Sequence, residues 1–87
     1  MRYYKRYWDE NPGGDRVGWG NSWWYFESDS DGNVVRQVTQ YENGPTLRYS
    51  DDHFDDEFGG LAKIALDLAD FAQFEVTRDI FEIAWEV

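Results

Sequence analysis

The sequence has no cysteine, so neither a disulfide framework nor a thiolate metal site is open to it. A cysteine-free chain suits a reducing cytosol, and a cytoplasmic location is the expectation. A single histidine, His53, leaves imidazole chemistry one candidate group. Long apolar runs are also missing. The least polar stretch, residues 61–72, carries Lys63, Asp67 and Asp70, and is too short and too charged to span a bilayer. The opening MRYYKRYW has basic residues without the apolar segment of a secretory leader, so no leader is expected.

Positive charge is scarce as well. Eight bases stand against eighteen acids, for a net charge of −10. The imbalance sits late: residues 1–50 hold seven acids and six bases, whereas 51–87 hold eleven acids against Lys63 and Arg78. Direct nucleic-acid binding is not expected on this ground, because phosphate contacts need clustered Lys and Arg. Anionic membrane surfaces are disfavoured for the same reason. A basic protein surface is the natural partner, approached with electrostatic steering.

Aromatic rings are abundant instead. Five Trp, six Tyr and six Phe make one residue in five aromatic. In a chain of 87 residues one domain, 1–87, is expected, and rings that each bury about 150–250 Å² replace the missing staples.

The rings also mark strands. Residues 2–8 alternate Tyr3, Lys5 and Tyr7 with Tyr4, Arg6 and Trp8. A glycine-rich loop over 9–20, with Asn-Pro-Gly-Gly at its centre, separates them from a second strand at 22–27, Ser-Trp-Trp-Tyr-Phe-Glu. Asp31-Gly32 is a hairpin signal. The third strand, 34–41, alternates Val34, Arg36, Val38 and Gln40 with Val35, Gln37, Thr39 and Tyr41. Asn43-Gly44-Pro45 turns the chain into a fourth strand at 46–49. Sequential hairpins predict an antiparallel meander of about four strands.

The second half reads as helical. Ser50 is placed to N-cap a short acidic helix over 51–58, with Phe54 and Phe58 four apart on its buried side and Gly59-Gly60 as its stop. Residues 61–74 leave two readings open: a helix on Leu61, Ile64, Ala65, Leu68 and Ala72, or an extended connection. Thr77 is a good N-cap for a final amphipathic helix with the stripe Ile80, Phe81, Ala84 and Trp85. The expected fold class is therefore α+β, an antiparallel sheet with the helical segments packed on one face.

The chain is similar to a family of small bacterial domains of unknown function. The likeness rests on Tyr7-Trp8-Asp9, Trp23-Trp24-Tyr25-Phe26-Glu27, Asp31-Gly32 with Arg36-Gln37, and Tyr41-x-Asn43-Gly44. Gly59-Gly60-Leu61 and the ending Phe74-Glu75-Val76-Thr77, Phe81-Glu82 and Trp85 extend it over nearly the whole chain. The resemblance implies no activity, cofactor or site residues. In composition the chain also resembles immunity proteins of contact-dependent toxin systems, an analogy only.

Chemical motifs are thin. Glu27-x-Asp29-x-Asp31-Gly32 imitates the first half of a calcium loop, yet the position that needs a bidentate Glu holds Val38. No serine shows a nucleophile elbow, and the Gly13-Gly14 loop lacks the lysine and spacing of a phosphate cradle. Neither catalysis nor a cofactor is expected. The candidate contact residues are the acidic cluster Asp51, Asp52, His53, Asp55, Asp56 and Glu57, with Trp8 and Trp19 beside the glycine-rich loop. The leading expectation is a partner-binding module that shows these acids to a basic protein. The alternatives are an acidic mimic of nucleic acid that blocks its binding protein, and a small-ligand binder using exposed aromatics.

Overall fold

The computed structural model describes residues 1–9, 11 and 13–86. Four strands form: β1 (Arg2–Trp8), β2 (Ser22–Ser28), β3 (Val34–Tyr41) and β4 (Thr46–Ser50). Each pairs antiparallel with the next in the chain, as the hairpin signals predict. Two fragments, β5 (Asp55–Asp56) and β6 (Gly59–Gly60), form a separate small hairpin. A fifth strand of the main sheet, β7 (Glu75–Val76), joins the outer side of β1 opposite Tyr4 and Tyr3, giving the order β4-β3-β2-β1-β7. The Asn-Pro-Gly-Gly turn includes Pro12, which lies outside the described residues; a 3₁₀ segment, Gly14–Trp19, follows it.

The pairing register sorts side chains onto two faces. Tyr3, Tyr25 and Val38 belong to one, and Tyr4, Phe26, Gln37 and Tyr49 to the other. One residue breaks the alternation. Between Glu27 and Ser28 the partner strand steps from Arg36 to Val34, so Val35 is an extra residue in β3. This bulge re-aims what lies beyond it, and Val34 clusters with Tyr4 and Phe26 rather than with Val38.

Both faces are covered. On the first, α2 (Arg78–Glu86) buries Phe81 and Ala84 against Tyr25 and Val38, with Tyr3 and Trp85 at the margin. The Thr77 hydroxyl accepts from Ile80 N–H at 3.4 Å at the start of this helix. On the second face Tyr4, Phe26 and Val34 meet Leu61, Ala62, Leu66, Leu68, Phe71 and Phe74. The expectation that the helical segments share one face is thereby corrected. Each open reading of 61–74 holds over part of it. Residues 61–67 have no regular structure, α1 (Leu68–Phe71) is one turn capped by the Asp67 carboxylate, and a 3₁₀ turn, Ala72–Phe74, leads to β7. Among the described residues, no helix is long and apolar enough to cross a membrane.

Two polar contacts anchor 61–74 to the sheet. Gln37, 2 % exposed, donates from Nε2 to Gly60 O at 3.1 Å and accepts from Ala62 N–H at 2.9 Å. Gly32 O accepts from Leu66 N–H at 2.9 Å, and Gly32 is required there twice over. Its φ is +88°, and a Cβ would lie 2.6 Å from Leu66 O.

Candidate functional site

The acidic cluster is a hairpin and not a helix. Ser50 and His53 form an isolated bridge through bonds of 3.0 and 3.1 Å, and the Ser50 hydroxyl accepts from Asp52 N–H at 3.3 Å. Asp55 pairs with Gly60 and Asp56 with Gly59, so the glycines thought to stop a helix are a strand. The reason is Asp56. Its Oδ1 accepts from the N–H of Phe58 two residues on, at 2.9 Å, which fixes a turn where a helix would run straight.

Asp56 is also the hairpin's anchor to the sheet. The Tyr49 hydroxyl donates to its Oδ1 at 2.9 Å, and Nε2 of His53 lies 3.1 Å from its Oδ2. The His53 ring stacks on Tyr49 with centroids 5.7 Å apart and planes 11° from parallel. Partial burial pulls the Asp56 pKa upward, but the Phe58 amide, the Tyr49 hydroxyl and His53 together hold it below the ordinary value. Burial, and then the bond to Asp56, push the Tyr49 hydroxyl well above its usual range.

The remaining acids face water. Asp51, Asp52, Asp55 and Glu57 are exposed and, among the described residues, form no ion pair. Phe54 and Phe58, expected on the buried side of a helix, are 59 % and 40 % exposed in their midst. Arg16 steadies the tip: its Nη2 donates to Glu57 O at 3.0 Å and its guanidinium lies 4.9 Å from the Phe58 ring. An open concavity of about 600 Å³ separates the hairpin from residues 61–64.

The two tryptophans part company. Trp19 joins the hairpin, half-buried, with its ring 5.0 Å from Tyr41 and 5.8 Å from Phe58. Gly44 makes room for it, since a Cβ there would lie 2.6 Å from Trp19 Cγ. Trp8 stands elsewhere, 42 % exposed at the end of β1 with the Arg6 guanidinium 5.0 Å from its ring. The calcium-like run is committed to the fold. Glu27 is buried against Arg36, and Asp29 accepts N–H bonds from Asp31 and Asn33 at 2.9–3.1 Å.

Sequence reasoning missed Tyr49 as the hairpin's support and Arg16 at its tip. The turn itself left a usable signal: Asp56 two residues before Phe58, followed by Gly59, has the pattern of a side-chain-closed turn. Compared with protein-family models, curated proteins and solved structures, the chain has no match.

Proposed function

We propose that this chain is a cytoplasmic partner-binding module, immunity-protein-like in how it works, that meets a basic protein surface through the β5–β6 hairpin. The observation that carries the reading is the company of four exposed carboxylates, without an ion pair among the described residues, and an exposed ring, Phe54, beside a turn locked to the sheet by Tyr49 and Asp56. A ring ringed by acids suits a contact whose anchor is apolar and whose rim is charged. Pre-organisation lowers the ordering cost of binding. Compactness favours protein contact over phosphate mimicry. Of the six other late acids, Glu75 meets Arg2, Glu82 meets Arg36 and Asp67 caps a helix, whereas Asp70, Asp79 and Glu86 stand exposed outside the 51–57 cluster.

The test compares the wild-type chain with two variants, D51N/D52N/D55N/E57Q and F54A, as baits for quantitative capture from a cytoplasmic extract. Captured proteins should be basic, should release as salt rises, and should be lost from both variants. Equal capture by the charge variant and the wild type rejects the reading.

A further inference from the structure

At the β1 edge, across the sheet from the hairpin, Arg6, Trp8, Trp24, Phe26 and Phe71 line a groove of about 230 Å³. Its apolar walls are rings: Phe26 and Phe71 meet edge to face at 5.8 Å, and Trp24 stacks with Phe26 at 6.1 Å. Among the described residues, Arg6 is the only charged group on the wall. The guanidinium stands 5.0 Å from the Trp8 ring, 5.1 Å from Phe74 and 5.5 Å from Phe71.

Arg6 differs from the other half-buried arginines. Arg16, Arg36 and Arg48 each donate to a carbonyl or carboxylate oxygen. Arg6 has rings around it and, among the described residues, forms no ion pair. A guanidinium faced by rings keeps its N–H fork for a planar anion, and a carboxylate fits that fork with two parallel bonds. The space sets the rest of the ligand. An apolar cavity of about 150 Å³ holds benzene, so this groove admits one ring and a short acidic arm. The chain's overall negative charge does not prevent this, because screening acts over about 8 Å and β1 itself carries no acid.

We propose that the groove binds a small aromatic carboxylate, its ring among Trp8, Trp24 and Phe71 and its carboxylate on Arg6. Trp24 is held for the role, its indole N–H donating to Ser22 Oγ at 2.8 Å. The site is independent of the hairpin contact.

Phenylacetate and its neutral isostere phenylacetamide test the assignment on the ¹⁵N-labelled full chain by NMR. Phenylacetate should shift the indole N–H signals of Trp8 and Trp24 with a Kd of about millimolar size. Phenylacetamide should bind roughly tenfold more weakly, the worth of one charge-assisted pair. Arg6→Gln should weaken phenylacetate to the amide's level and leave the amide unchanged. Arg6→Lys, which keeps the charge without the fork, should fall between. The D51N/D52N/D55N/E57Q variant should bind phenylacetate as the wild type does. Equal affinity for acid and amide, or shifts confined to signals far from the groove, would overturn the proposal.

Discussion

At the level of single residues, Arg36 ties three elements together. Its Nε lies 2.6 Å from one Glu27 oxygen and its Nη2 3.1 Å from the other, while Nη2 also reaches Glu82 on α2. The guanidinium lies 4.9 Å from Phe81 and 5.1 Å from Trp85. One side chain therefore links β2, β3 and the covering helix. Arg36→Ala leaves Glu27 charged and poorly hydrated, and should cost about 3–5 kcal/mol in chemical denaturation. Glu27→Gln should cost less, because no charge is stranded in the apolar layer. The pair also sets an acid limit. The Arg36 hydrogen bonds depress the Glu27 pKa below its ordinary 4.5, against the upward pull of burial. A depressed carboxylate stabilises the fold above its unfolded pKa, and that share is lost as pH falls through the folded value. Stability measured downward from pH 5 should therefore fall less steeply in Glu27→Gln than in the wild type. Equal slopes would show that the bond does not persist in solution.

At the scale of elements, how much the sequence discloses depends on how locally each element is determined. The four long strands were legible because β-branched and aromatic residues alternate within them and Asp31-Gly32 and Asn43-Gly44-Pro45 punctuate them. The final helix was legible from Thr77 and its 3.6-residue stripe. The 50–60 segment was misread because Phe54 and Phe58 have helical spacing, whereas the structure depends on the Asp56 turn and its bond to Tyr49 on β4. The Val35 bulge and the groove at Arg6 left no local sign, since the first is a matter of strand register and the second joins Arg6 to Phe71, more than sixty positions away. A contrast in energetics follows. Phe81 is fully buried, so Phe81→Ala should cost about 3–5 kcal/mol. Phe54→Ala, at an exposed turn, should move stability by no more than about 0.5 kcal/mol. Thermal unfolding of the two variants measures both. A large loss on Phe54→Ala would mean that the ring is packed in solution and is no surface anchor.

For the molecule as a whole, one contiguous stretch covers both sides of the sheet. Residues 61–74 lie on one face, β7 crosses at the outer side of β1, and α2 lies on the other face. Neither apolar layer has a cover independent of the other, which argues for one cooperative unit. Tryptophan fluorescence and far-ultraviolet circular dichroism should follow a single coincident transition in urea. Two separated midpoints would show that the layers open one at a time. Gln37 gives this wrap a particular tolerance. Its side-chain amide uses one N–H and its oxygen here, as a peptide group would, and it grips Gly60 and Ala62 by their backbones alone. The latch is blind to what those two residues carry as side chains. What limits those two positions is their packing instead, since Ala62 lies in the second-face cluster and a Cβ at Gly60 would lie 3.0 Å from Phe54 O, whereas one change at position 37 unfastens the strap at its root.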